Sequence, residues 1–280
     1  MLGGNHAACG AAAWVALASE ATVRLDWLHA VPVLGAAVPE SLTLGLGLFG
    51  DAPGGVATGA LVCAGAALLP DADHRHATIA RSLPPVTNAL SVFLGRIAGG
   101  HRQGTHSLLG IAAFMVVAWL AGLWQLDSPG VGRIDVGPGL CTILLASLAA
   151  KALRFIPDRL QRTPWVVGAL CGAAVALFSP EDPRWFVAAI GVGVAAHILG
   201  DMLTIGGVNP LWPLRWKRPR SLHHAPVVNS VWRRNGHVAV PVLGATGSWR
   251  EWVFSVPVAA YALLGTGISV ATMIAAATGG

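Results

Sequence analysis

Six apolar stretches, at residues 54–70, 106–126, 137–153, 164–179, 185–204 and 252–276, dominate this chain. Each approaches the roughly 20 apolar residues that a helix needs to cross a ~30 Å hydrocarbon core. They are rich in Ala, Gly, Val and Leu, and small residues let membrane helices approach closely. Charged residues make up only 11 % of the chain, and 54 % is hydrophobic. The expected class is all-α, a polytopic transmembrane helical bundle forming a single integral membrane domain over residues 1–280.

Residues 1–22 add a further apolar run. No Lys or Arg precedes it, which argues against a cleaved leader and for a retained first helix carrying His6. Segment 28–50 is apolar but interrupted by Pro32, Pro39 and Glu40, and a carboxylate at the bilayer centre is costly. If it spans, His6 lies on the opposite face from Asp71; if it is re-entrant or interfacial, His6 shares that face. The second arrangement is the expected one, and it makes about seven spanning helices.

The basic residues set the topology. Arg75, Arg81, Arg96 and Arg102 fall within 71–105; Lys151, Arg154, Arg159 and Arg162 within 151–163; seven more lie within 206–251. The intervening loops, 127–136 and 180–184, hold one Arg each and are net acidic. The positive-inside rule puts the three basic loops in the cytoplasm of a cell with this inner-membrane protein. It also accounts for the basic pI without nucleic acid, leaving the lipid bilayer as the expected partner. Cys9, Cys63, Cys141 and Cys171 have no CxxC pairing and read as small packing residues with free thiols.

Against this background three polar clusters stand out: LLPDADH (68–74), HRQGTHS (101–107) and AAHILGDMLT (195–204). Asp and neutral His are side chains that hold divalent ions. His197 and Asp201, four apart on a helix, share one face and can grip one metal or form a hydrogen-bonded polar pair. Asp71, Asp73 and His74 present three potential ligands over four residues, or an ordinary solvated helix exit. His101 and His106 flank the start of the helix at 106–126, where Thr105 or Ser107 suits a helix cap. Arg102 suits a phosphate or carboxylate, or serves as a plain juxtamembrane cation.

The charge pattern puts all three clusters at one membrane face. Asp71, His74, His101, His106, His197 and Asp201, with His6 as a further candidate, can therefore converge on one mixed N/O site. That is more ligands than one zinc ion needs, so a dinuclear site is a plausible outcome. His223 and His224 read as part of a solvated basic loop; His29, His76 and His237 show no partner pattern. Trp212, Trp216 and Trp232 read as interfacial anchors.

These motifs carry a resemblance. The chain resembles the YdjM-like family of membrane-bound, metal-dependent hydrolases, members of which are associated with LexA regulation. The resemblance rests on Asn5-His6, on LLPDADH, on HRQGTHS and on AHILGDMLTIGGVNPLWPLRW at 196–216. It anchors residues 1–216, whereas 217–280, a basic loop and last transmembrane helix, is loosely matched. Gln103 intervenes before Gly104, Ala196 replaces a common Ser, and Ile205-Gly206-Gly207 replaces a Pro-containing turn. Through a distant similarity to the zinc-dependent phospholipase C and P1-nuclease group, the resemblance implies phosphoester chemistry.

The leading expectation is a metal-dependent hydrolase at the cytoplasmic face, acting on a phosphoester or lipid substrate. A divalent ion, zinc foremost, would activate it; Asp73 is the candidate general base and Arg102 the anchor for an anionic substrate. The alternative is a transporter or metal-handling protein using the same cluster as a transit site.

Overall fold

Where the apolar runs lie, helices form. The computed structural model describes residues 1–30, 38–49, 55–82, 85–154, 163–180, 182, 184–214, 217–219, 221, 224–233 and 235–279. Seven apolar helices follow in order: α1 (Gly3–Ala18), α2 (Gly55–Ala66), α4 (Leu108–Gly122), α5 (Val136–Ala152), α6 (Thr163–Phe178), α7 (Arg184–Met202) and α9 (Trp249–Thr278). Two helices were not anticipated from hydropathy. These are α3 (Val86–Ile97) and the short α8 (Pro226–Val231), both within the basic loops. α3 intersperses Thr87, Asn88, Ser91 and Arg96 among its apolar residues, so no continuous apolar run marks it, and it exposes Leu90, Val92, Phe93 and Ile97.

Among the described residues, three helices are long and apolar enough to cross a membrane: Gly55–Asp73, in which α2 runs on into the 3-10 turn Pro70–Asp73, then Arg184–Met202 and Trp249–Thr278. Leu108–Gly122, Val136–Ala152 and Thr163–Phe178 are apolar but shorter. Of the seven helices expected to span, three meet that length and composition among the described residues. The physical reason is visible at α4, where Ser107 caps the helix by accepting from the Gly110 N–H at 3.1 Å. Fifteen residues then rise only about 22 Å.

Two small antiparallel ladders complete the fold. β1 (Thr22–Arg24) pairs with β2 (Ser41–Thr43), and β3 (Leu126–Ser128) with β4 (Gly132–Ile134). The first occupies the segment expected to be re-entrant or interfacial, of which residues 31–37 and 50 lie outside the described residues. Its described part holds a 3-10 turn (Asp26–Ala30) and a strand, then hydrogen-bonds back onto the end of α1, Leu46 N–H to Ala16 O and Leu48 N–H to Leu17 O. α2 therefore starts beside the end of α1 and runs back towards its beginning, which brings Asp71 to the His6 end.

Close helix approach depends on missing side chains. A Cβ added at Gly10 of α1 or at Gly193 of α7 would sit 2.5 Å from the Cys63 carbonyl oxygen. α1 and α7 therefore both press on the same turn of α2. The small-residue content of the apolar runs is what permits this. Trp14, Val62, Phe186, Ala189 and Val194 are buried at these contacts. All four cysteines are unpaired.

Candidate metal centre

The start of α1, the end of α2, the start of α4 and the end of α7 meet at one end of the bundle. Four groups from three of these elements converge most closely. His197 Nε2 lies 3.1 Å from His106 Nε2. Asp71 Oδ1 is 3.7 Å from each of these nitrogens, and Asp201 Oδ2 is 3.8 Å from each. The carboxylate separations are too long for hydrogen bonds. Together with the 3.1 Å between the two nitrogens they bracket the ~3.4 Å expected between ligands of one tetrahedral ion bound at about 2.1 Å.

The tautomers agree with that arrangement. His197 Nδ1 donates to the Ala67 carbonyl at 2.6 Å, which leaves its Nε2 lone pair aimed at the cluster. His106 Nδ1 faces Thr105 Oγ1 at 3.0 Å and Asp73 Oδ2 at 3.6 Å. Both rings are fully buried. Outer partners of this kind orient metal-ligating histidines.

His6 joins from α1. Its ring stacks on His197 with centroids 3.6 Å apart and 11° between planes, and its Nε2 lies 3.3 Å from Asp201 Oδ1. His6 Nδ1 is buried without a hydrogen-bond partner, so the donor set contains an unused lone pair or proton. Among the described residues, three overlapping groups could hold an ion: His6, His197 and Asp201; Asp71, His106 and His197; Asp73, His101 and His106.

Asp73 is buried and heavily used. Thr105 Oγ1 donates to Asp73 Oδ2 at 2.6 Å, and His101 Nδ1 meets Oδ1 at 2.8 Å. Thr105 and Ser107 thus divide the roles that the sequence leaves open: Ser107 caps α4 and Thr105 holds Asp73. His101 is partly exposed at the rim. His74 is set apart, against His101 and His76 at centroid distances of 4.8 and 5.6 Å. Partial burial, with the neighbouring His101, holds the His74 imidazole below its ordinary pKa.

Arg102 is turned onto Asp201 as a fork, Nε to Oδ2 at 3.0 Å and Nη2 to Oδ1 at 3.1 Å. It does so with left-handed backbone, φ +63°, which is costly for a residue with a Cβ. The Met1 amino group also lies 2.6 Å from Asp201 Oδ1. The loop after α7 clasps the Arg102 turn: Asn209 N–H donates to Arg102 O, and Asn209 Nδ2 to Gln103 Oε1.

Gly206 makes room for the guanidinium, because a Cβ there would lie 1.6 Å from Arg102 Nη1. Gly206→Ala is therefore expected to push Arg102 off Asp201 and to weaken metal binding about tenfold, the scale set by lost outer partners. A chelator-competition titration with zinc checks this.

One residue, Glu251, escaped the sequence reading, and another, His237, was set aside by it for want of a partner pattern. Glu251, buried in the first turn of α9, accepts from the Leu2 N–H and Asn5 Nδ2, both at 2.6 Å, and from the Gly247 N–H at 2.7 Å. It thereby anchors the start of α1, one residue from His6. An acid opening an apolar helix was the available signal. His237 is buried beside Gln103 and the Gly206 carbonyl; burial, with Arg102 and Arg233 nearby, keeps its pKa low. Trp216 and His223 lie outside the described residues.

A family model described as YdjM inner membrane protein matches residues 1–274. The match takes in the C-terminal part that the motifs anchored only loosely, including Glu251. No curated protein and no solved structure matched the chain.

Proposed function

Since the chain belongs to the YdjM inner membrane protein family, we propose that it is a membrane-embedded, metal-dependent hydrolase whose centre faces the cytoplasm. The observation that carries the metal is the spacing of His106, His197, Asp71 and Asp201, whose histidine-to-histidine and histidine-to-carboxylate separations all lie between 3.1 and 3.8 Å. Zinc suits two imidazoles and two carboxylates. A divalent ion held there would supply Lewis acidity, polarising a phosphoryl or acyl oxygen and acidifying water.

The protein's own groups take the remaining tasks. Each central ring has its Nδ1 committed, His197 to Ala67 and His106 towards Thr105 and Asp73, so each offers one lone pair. One ion per chain follows as the basic stoichiometry, and a second would draw on His6 or on the Asp73–His101 group. Asp73 works through His101: it fixes one imidazole nitrogen and leaves the other at the rim, where a proton can be exchanged with a bound substrate or water. Arg102 holds Asp201 and shapes the ligand set, and its partly exposed guanidinium can still meet an anionic substrate.

The basic loops support a cytoplasmic orientation, because the ends of α2, α5 and α7 that carry them lie together around this centre. Substrate screening with phosphodiester, phosphomonoester and lipid ester probes on the purified full chain tests the hydrolase. Hydrolysis that needs zinc and falls at least 100-fold in His101→Ala, with metal content retained, is the expected result. Metal uptake into sealed vesicles without hydrolysis would replace the enzyme by a transporter.

A further inference from the structure

Away from the metal centre, α1, α5 and α9 enclose a slot that no proposed step uses. Its mouth is a cavity of about 440 Å³, bordered by Asn5, Lys151, Arg154 and Ser255. It continues into a second, almost wholly apolar cavity of about 300 Å³ reaching Leu61 and Leu263. Ala8, Leu153 and Ala259 line both, so the two form one channel that is cationic at one end and hydrocarbon-like at the other.

The channel is distinct from the metal centre although α1 borders both. At 100° per residue, Gly4 and Ala8 lie roughly 160° round the helix from His6. The walls are mostly alanine, and that absence of bulk is what keeps the slot open.

Three observations indicate what fills it. No acidic residue lines the mouth among the described residues, and Lys151 and Arg154 supply positive charge there, Lys151 Nζ lying 6.0 Å over the Trp165 ring and forming no ion pair. Ser255 is buried at 3 % exposure, borders the mouth, and its Oγ has no hydrogen-bond partner. A buried hydroxyl left unsatisfied is costly and calls for a polar ligand atom. Arg154 has left-handed backbone, φ +56°; with Arg102 it is one of only two non-glycine residues so strained among the described residues. Such strain concentrates at ligand clamps.

We propose that this slot binds one anionic phospholipid, its phosphate on Lys151 and Arg154, a headgroup or ester oxygen on Ser255, and an acyl chain between α1 and α9. Apolar length and cationic mouth match the two halves of such a molecule. Free phosphate would leave the apolar part unfilled, and a neutral lipid would leave the cations unanswered. The site is independent of the hydrolase reading, since it uses none of the metal-centre side chains.

The test uses the full chain in detergent, titrated with phosphatidylglycerol and, separately, with diacylglycerol of the same chains, bound lipid being counted by native mass spectrometry. One phosphatidylglycerol should be retained per chain, with diacylglycerol at least tenfold weaker. The Lys151→Gln/Arg154→Gln pair should weaken phosphatidylglycerol at least tenfold, and Ala259→Phe should exclude it by filling the slot. Thermal unfolding and the size-exclusion profile, measured on the same samples, should stay at the wild-type level and show that each variant is folded. Retention of phosphatidylglycerol by both variants, or equal binding of diacylglycerol, would overturn the proposal.

Discussion

His197→Ala is expected to strip the purified chain of its metal, lowering zinc from about one equivalent to background in elemental analysis. The ring contributes the Nε2 that faces His106, Asp71 and Asp201, and it supports His6 by stacking. Its loss removes one of four donors and loosens another candidate, so affinity should fall by well over the 10- to 100-fold typical of outer partners. The variant also leaves the Ala67 carbonyl without its donor, which costs about 1–3 kcal/mol. Asp71→Asn separates metal loss from misfolding. That carboxylate is partly exposed and makes no short hydrogen bond to the two rings, so the amide should be tolerated structurally while binding zinc far more weakly. Full zinc occupancy in both variants would eliminate the proposed centre.

Glu251→Ala should produce the largest loss of stability. The carboxylate is fully buried and accepts from three donors, two at the start of α1 and one in the turn before α9. Removing it leaves the buried Asn5 Nδ2 unsatisfied and takes the acceptor from the part-buried Leu2 and Gly247 N–H groups. Hydrogen bonds to charged groups contribute about 1.5–3 kcal/mol each, so a loss of about 3–5 kcal/mol is expected. Thermal unfolding in detergent reads this directly. Because the same bonds hold the segment that carries His6, Glu251→Gln should recover much of the stability and the wild-type zinc affinity. Equal melting temperatures for Glu251→Ala and the unaltered chain would mean that the carboxylate anchors nothing.

Much of the centre is legible without a structure, for a local reason. His197 and Asp201 are one helical turn apart, so the backbone alone puts them on one face. Asp71 follows the last turn of α2, and His106 precedes α4, so their ends of the bundle follow from the direction of each helix. The neighbouring residues are harder. His101 and His106 look equivalent in HRQGTHS, yet His106 is at the centre while His101 lies behind Asp73. His74 looks equivalent to Asp71 and Asp73, but the 3-10 turn ends at Asp73 and His74 is extended, at φ −113° and ψ 114°. It leaves towards His76 and His101 instead.

Longer-range pairings are not legible at all. Arg102 reaches Asp201 only through a left-handed backbone and the space left by Gly206. Glu251 meets Asn5 across 246 residues, a separation no spacing rule addresses. The run at 106–126 is longer than the helix it forms, because α4 starts only after the Ser107 cap and ends at Gly122, whereas 137–153 and 164–179 match α5 and α6 to within one residue at each end.

Composition, periodicity and the placement of basic residues by themselves determined a mostly helical membrane chain with its Asp and His clusters expected at one end, since transfer out of water and helical geometry act residue by residue; the two short antiparallel ladders were not foreseen. Which nitrogen and oxygen atoms face one another was decided only by the tertiary structure. That choice depends on small-residue contacts, caps and one buried carboxylate joining distant parts of the chain, and these set side-chain positions to within the few tenths of an ångström on which a metal site depends.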